Sequence, residues 1–130
     1  MYKKIVDDIK EYDDNLLDRL WFQYYDVDMF YNLIDYYMPK NRILTLYRTS
    51  ASWREIYNFC YNNEDVALAF NKRRASLGTI YINRLFNIGT PMFIHTINCE
   101  EEISKYLKMG VKKIFSDSVT ENEFKNHFIN

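Results

Sequence analysis

Residues 92–121 decide the fold of this chain, and they read MFIHTINCEEEISKYLKMGVKKIFSDSVTE. The apolar runs at 91–96 and 112–116 have the length and composition of buried strands. Between them, Asn98 and Glu101 have the spacing of a capping box ahead of a helical apolar stripe, and Gly110 stands where a left-handed helix end is expected. The stretch therefore predicts a strand, a helix and a second strand that runs parallel to the first.

The same pattern repeats upstream. We predict strands near 19–25, 42–48, 65–71, 91–96 and 112–116. Helix starts are indicated by Asp26, by Ser52 with Glu55 and by Thr120 with Glu123, while Gly89 is a second expected left-handed helix end. A further helix is predicted over 3–12, without a strand before it.

A helix followed by five βα units predicts a single α/β domain, residues 1–130, with a parallel sheet. Two architectures fit this order. One is a five-unit segment of a TIM (β/α)8 barrel that lacks the N-terminal strands, and the other is a doubly wound five-stranded sheet. The initial helix without its strand favours the barrel segment.

The composition excludes several functional classes. With 17 Lys and Arg against 18 Asp and Glu, the net charge of -1 gives no electrostatic footprint for nucleic acid. No apolar run approaches the length of a membrane span, and we expect a cytoplasmic protein. Cys60 and Cys99 are far apart in sequence and are predicted to be reduced thiols.

Candidate binding residues are those at the carboxyl ends of the predicted strands, where parallel α/β folds collect their sites. They are Gln23, Tyr47, Arg48, Lys72, Arg73, Arg74, His95, Asn98 and Asp117. Arg48 and the run 72–74 carry charges that suit phosphate or glycerol phosphate, although 72–74 also fits a solvated helix start. His95 lacks a second histidine or an acid in sequence reach, so we predict neither a catalytic nor a metal-binding role for it.

The 30 residues at 92–121, the stretch quoted above, carry a family resemblance. Thr96, Asn98, Gly110, Val111, Ile114, Ser116 and Asp117 occupy positions of a Thr-x-Asn strand end and a Gly-Val-x-x-Ile-x-(Thr/Ser)-Asp strand. In this pattern the chain resembles the C-terminal part of the glycerophosphodiester phosphodiesterase family, with Gln23 and Tyr47 matching upstream. The resemblance implies a TIM barrel and, in full-length relatives, hydrolysis of glycerophosphodiesters with a divalent metal, Mg²⁺ or Ca²⁺.

The family's chemical residues have no counterpart here. Its His-Arg-Gly, carboxylate pair, second histidine and Glu-x-Lys all precede the matched region, and the chain's only histidines are His95 and His127. The resemblance thus implies a truncated or split family member, inactive alone, with no catalytic residue, metal ligand or cofactor of its own. The alternative is a non-enzymatic interaction or anion-binding module built on a half barrel.

An open half barrel also predicts association. Helices would cover only one face of the sheet, whereas parallel sheets are normally covered on both. We therefore expect self-association or a complementary N-terminal half. Two copies give ten strands rather than eight, so face-to-face pairing is the expected homodimer; a doubly wound sheet would instead be monomeric.

Overall fold

A computed structural model describes residues 1–129 as a mixed α/β fold. The five strands are β1 (Trp21–Tyr24), β2 (Asn41–Thr45), β3 (Val66–Asn71), β4 (Met92–His95) and β5 (Lys113–Ile114). The helices are α1 (Tyr2–Asp13), α2 (Val27–Ile34), α3 (Trp53–Asn62), α4 (Lys72–Ser76), α5 (Thr79–Asn87), α6 (Glu100–Lys108) and α7 (Glu121–Phe128). A 3-10 helix, Asp14–Arg19, joins α1 to β1. The predicted order of one helix and five βα units is confirmed.

The five strands form one parallel sheet in the order β1-β2-β3-β4-β5. A doubly wound sheet reverses its strand order at a switch point, and this order has no reversal. The doubly wound alternative is therefore wrong for this sheet. Successive crossovers of the usual right-handed kind move along the sheet in one direction, and they place their helices on the same face.

The register is staggered in one direction. Trp21 pairs with Asn41, the first residue of β2, but Val66 at the start of β3 pairs with the second residue of β2. Met92 at the start of β4 pairs with the third residue of β3, and Lys113 pairs with the second residue of β4. Later strands thus begin progressively further along the sheet.

The main core lies between the sheet and the helices. Tyr24, Leu44, Leu68, Phe70 and Ile94 project from the strands into it, and Phe30, Ile56 and Ile103 are among the helix residues that meet them. Each of these side chains is fully buried. Their burial holds the helical layer on the sheet through the hydrophobic effect.

The opposite face of the sheet, which we call the concave face, has a different surface. Its buried cluster consists of Ile43, Ala67 and Ala69 with the partly buried Phe93, and in residues 1–129 no helix residue joins it. The centroids of the Trp21 and Phe93 rings, from β1 and β4, lie 5.5 Å apart. Because these rings meet across β2 and β3, they shield the small side chains that lie between them. The prediction of an exposed face therefore holds for only part of this face.

Most helix boundaries follow the predicted signals. Ser52 with Glu55 and Thr120 with Glu123 form complete capping boxes, and the Asp26 side chain caps α2. Gly89 and Gly110 have φ values of 81° and 100°, the left-handed conformation expected for them. The capping box predicted at Asn98 is wrong, because Cys99 is the N-cap residue of α6 and no side chain caps this helix.

The predicted strands are longer than the observed ones, most clearly at 19–25 and 112–116. Tyr25, Tyr47 and Phe115, which the predicted strands included, lie within two residues past the observed strand ends. The sequence reading also missed the 3-10 helix and the division of the segment after β3 into α4 and α5. In the described part of the chain, no helix has the length and apolar character needed to cross a membrane.

Candidate functional site

A cavity of about 330 Å³ opens on the concave face at the carboxyl ends of the strands. It is lined by Gln23, Tyr25, Thr45, Tyr47, Ala69, His95, Thr96 and Phe115. Alternation along each strand explains this set, since Gln23 and Tyr25, like Thr45 and Tyr47, are two residues apart and share a face. The structure thus brings together three predicted site residues: Gln23, Tyr47 and His95.

Ala69 lines the cavity with a small side chain and lies opposite Thr45 in the ladder. Rings form the walls. The imidazole of His95 meets the ring of Phe115 edge-on, with 6.4 Å between the ring centroids. Phe115 in turn stacks on Phe93, with 5.4 Å between centroids. The cavity therefore has polar side chains in its lining and lies next to the aromatic part of the concave face.

The polar side chains in the lining keep their hydrogen-bonding capacity free. Within residues 1–129, the side chains of Gln23, Thr45, Tyr47 and His95 make no hydrogen bond to the protein. Buried polar side chains are usually paired inside a fold, so unpaired donors and acceptors at a cavity are available to water or a ligand. Thr45 is only 5% exposed, which makes its free hydroxyl the most notable of the four.

The electrostatics of the lining are nearly neutral. Burial lowers the pKa of His95 from its ordinary value, which favours the uncharged imidazole at neutral pH. No carboxylate or ammonium group lines the cavity. The guanidinium of Arg48 stands beside the mouth, 5.5 Å from the centre of the Tyr25 ring. The site thus consists of a cavity without charged lining groups and one cation, Arg48, beside its opening.

The cationic run 72–74 lies elsewhere. The Lys72 ammonium is paired with the Glu102 carboxylate at 3.2 Å, and Arg74 donates to the Ala51 carbonyl and stands over the Trp53 ring. Arg73 is exposed on α4. None of the three lines the cavity, so among the predicted cations the structure places only Arg48 beside it.

Asn98 and Asp117 meet at the ends of β4 and β5. The Asn98 side-chain oxygen accepts from the Ser116 hydroxyl at 2.8 Å and from the Asp117 backbone N–H at 2.9 Å. Ser116 also accepts from the backbone N–H groups of Ser118 and Val119. This network ties the two loops together, and Asp117 contributes its backbone rather than its carboxylate.

Sequence reasoning missed Thr45, Ala69 and Phe115. A signal for them existed, because each is an even number of residues from a predicted rim residue or strand end on the same strand. The sequence pattern did not indicate which face of each strand would remain free of helices.

A larger cleft, about 600 Å³, lies between the starts of α2 and α3. Two of its three carboxylates already serve the backbone: Asp26 accepts from the Met29 N–H, and Glu55 accepts from the Ser52 N–H at 2.6 Å, whereas within residues 1–129 Asp28 does not. The Ser52 backbone hydrogen bond lowers the pKa of Glu55. Because Asp26 and Glu55 are engaged as helix caps, this cleft is a weaker candidate than the cavity on the concave face.

The divalent metal of the resembling family does not fit the residues described. Among residues 1–129, no three His, Cys, Asp or Glu side chains are grouped to hold a metal ion. Mg²⁺ and Ca²⁺ take oxygen ligands, chiefly carboxylates, and the cavity lining has none to offer.

Compared with protein-family models, curated proteins and solved structures, the chain matches none of them. Nothing in these comparisons links it to the glycerophosphodiester phosphodiesterase family.

Proposed function

We propose that this chain is a partial (β/α) barrel that binds a small phosphorylated polyol, such as glycerol 3-phosphate, and does not hydrolyse phosphodiesters by itself. The observation that carries the proposal is the convergence of Gln23, Thr45, Tyr47 and His95, with free hydrogen-bonding groups, on one cavity beside Arg48. Ligand sites in α/β folds lie at this end of the strands.

The side chains suit the two parts of such a ligand. The Gln23 amide, the Thr45 hydroxyl and a neutral imidazole can each donate or accept, which is what hydroxyl groups require of a binding site. A guanidinium at the rim can bind phosphate oxygens through a forked pair of N–H groups. The hydroxyl end would enter the cavity and the phosphate would stay at its mouth.

The register of the sheet supports the barrel part of the proposal. Strands in a closed barrel are staggered, and the total stagger is about eight residues in an eight-stranded (β/α) barrel. Here the stagger adds up to four residues across the five strands. A sequential strand order and a concave face free of helices agree with the same interpretation.

The resemblance supports a truncated or split relative of the glycerophosphodiester phosphodiesterases as the origin of this barrel segment. Asn98, Ser116 and Asp117, which carry the resemblance, form one hydrogen-bonded network at adjacent strand ends. The cavity lacks a carboxylate to pair with His95 as a second acid or base, so phosphodiester cleavage is not part of the proposal.

Titration with glycerol 3-phosphate, followed by two-dimensional NMR, tests this function. We expect saturable shifts at Gln23, Tyr47 and His95 at millimolar ligand, weakened by added salt. Arg48→Met should weaken binding severalfold, whereas Arg73→Met, a matched loss of one exposed arginine, should not. Absence of shifts at these residues, or equal effects of the two variants, would contradict the proposal.

A non-enzymatic interaction module is the second candidate function. It is favoured by the exposed rings of the concave face, since Trp21 is 46% and Phe115 is 42% exposed. Exposed aromatic side chains clustered on one surface are typical of protein interfaces.

A further inference from the structure

We propose that the concave face and the two free sheet edges bind a second copy of this chain, with β5 of each copy paired in parallel with β1 of the other. This inference goes beyond the proposed ligand site and does not depend on it. Three observations on residues 1–129 support it: the unpaired edges of β1 and β5, the charges next to these edges, and the aromatic rings of the concave face that no helix covers.

Both edges of the sheet are open. In the described residues β1 pairs only with β2, and β5 pairs only with β4. An unpaired parallel edge presents backbone N–H and C=O groups that another strand can satisfy. Because β1 and β5 run in the same direction, the β5 edge of one copy can extend the β1 edge of another without reversing the sheet.

The amino ends of these two edges carry opposite charge. Next to the start of β5, Lys108, Lys112 and Lys113 are exposed, and the Lys113 ammonium lies over the Phe93 ring. Just before β1, three acids, Asp13, Asp14 and Asp18, are exposed together with one base, Arg19, so the acids outnumber the base. Parallel pairing of β5 with a second copy's β1 brings the amino ends together. The basic group of one copy then faces the acidic group of the other, and complementary charges of this kind select partner and register.

Other arrangements use these features less well. Pairing β1 with the second copy's β1 about a two-fold axis would be antiparallel and would leave both β5 edges unpaired. Face-to-face packing would leave every edge unpaired. A two-fold axis along the barrel axis creates the β5–β1 contact twice, so every edge is used and the assembly closes as a dimer.

The closed arrangement has ten strands, and a barrel with more strands has a wider interior than one with eight. The concave face carries rings that could fill this interior, including Trp21, Phe93 and Phe115. A dimer would therefore remove from water the partly exposed rings of both copies.

Sedimentation equilibrium at micromolar concentration is the first test. The chain mass is 15.9 kDa, and we expect a species of twice that mass. A monomer over the whole concentration range overturns the proposal. A monomer that instead binds an added polypeptide also overturns it, because the occupant would then be a different chain.

Charge reversal tests the pairing itself. Lys112→Glu with Lys113→Glu should weaken the dimer about tenfold or more, and Asp14→Lys with Asp18→Lys should do the same. All four changes in one chain should restore the dimer, because the signs at the β5–β1 contact are again opposite. Circular dichroism and thermal melting would establish that each variant is folded.

The control reverses two exposed charges away from the edges, Arg54→Glu with Arg73→Glu, and should leave the dissociation constant unchanged. If the single-edge reversals leave the dimer intact, or if the four-residue variant stays monomeric while folded, the β5–β1 pairing is wrong. These outcomes do not bear on glycerol 3-phosphate binding, which is measured separately.

Discussion

The rings of Trp21 and Phe93 meet edge to face on the concave side of the sheet, with 5.5 Å between their centroids and 74° between their planes. Trp21 lies on β1 and Phe93 on β4, so the contact joins strands that are not neighbours. Beneath it lie Ile43 and Ala67, which are at most 2% exposed. The pair gives an otherwise uncovered sheet face a small core of its own.

Removal of this contact should destabilise the monomeric unit. We expect Trp21→Ala to lower the free energy of unfolding by about 1–3 kcal/mol, because a half-buried ring and an aromatic pair are lost. Urea unfolding at a concentration where the association state is known measures this. Ile80→Ala is the control: Ile80 is 69% exposed on α5, and its loss should cost no more than about 0.5 kcal/mol. If the two substitutions lower the free energy of unfolding equally, the Trp21–Phe93 contact does not contribute to stability as proposed.

The chain alone should not cleave glycerophosphodiesters in the presence of Mg²⁺ or Ca²⁺. The reason is chemical, since the cavity lining has no carboxylate to hold the ion or to pair with His95. A hydrolysis assay with glycerophosphocholine, run on repurified protein and on the His95→Ala variant, measures this. Turnover that survives repurification and disappears in the variant would contradict the prediction.

His95 should titrate below the ordinary histidine range. Burial lowers its pKa, so the folded state holds this proton less tightly than the unfolded state does. Unfolding is then linked to proton uptake: the His95 contribution to stability is complete above about pH 6.5 and declines as the pH falls towards the folded pKa. An NMR titration of the imidazole Hε1 resonance gives the midpoint. A His95 midpoint at or above 6.5 would refute the prediction.

The two cysteines should differ in reactivity. Burial raises the pKa of the Cys60 thiol to about 12, so its nucleophilic thiolate is scarce at neutral pH. Cys99 is exposed at the start of α6. We expect iodoacetamide to modify Cys99 in the native protein and Cys60 only after unfolding, as followed by mass spectrometry. Rapid native modification of Cys60 in a Cys99→Ser variant would contradict the packing described here.

Alanine substitution at the two left-handed glycines should have unequal costs. Both positions strain a residue with a Cβ atom, because φ is 81° at Gly89 and 100° at Gly110. At Gly89 an added Cβ meets nothing within 4 Å, whereas at Gly110 it lies 2.6 Å from the Phe86 ring. Gly110→Ala should therefore destabilise the protein more than Gly89→Ala does, by thermal or urea unfolding. A larger cost at Gly89 would argue against the observed packing of Phe86.

The local structure of this protein is largely determined by its sequence. Ser52 with Glu55 and Thr120 with Glu123 begin helices as predicted, and Gly89 and Gly110 end them. Short apolar runs between these signals became the five strands. Caps, helix ends and strand runs depend on neighbours a few residues apart, so a single sequence contains what is needed to predict them.

The site and the open face were decided by tertiary structure. Asn98 has the sequence spacing of a helix cap, yet its side chain bonds to Ser116 and Asp117 on the next strand's loop. Lys72 and Arg74 are near the site in the sequence pattern, but ion pairing and ring contacts hold them away from the cavity. Alternation tells which residues share a face of a strand, but the order of the strands decides which face the helices cover. That order arises from contacts between distant parts of the chain, and it leaves Gln23, Thr45 and His95 at the mouth of an uncovered concave surface.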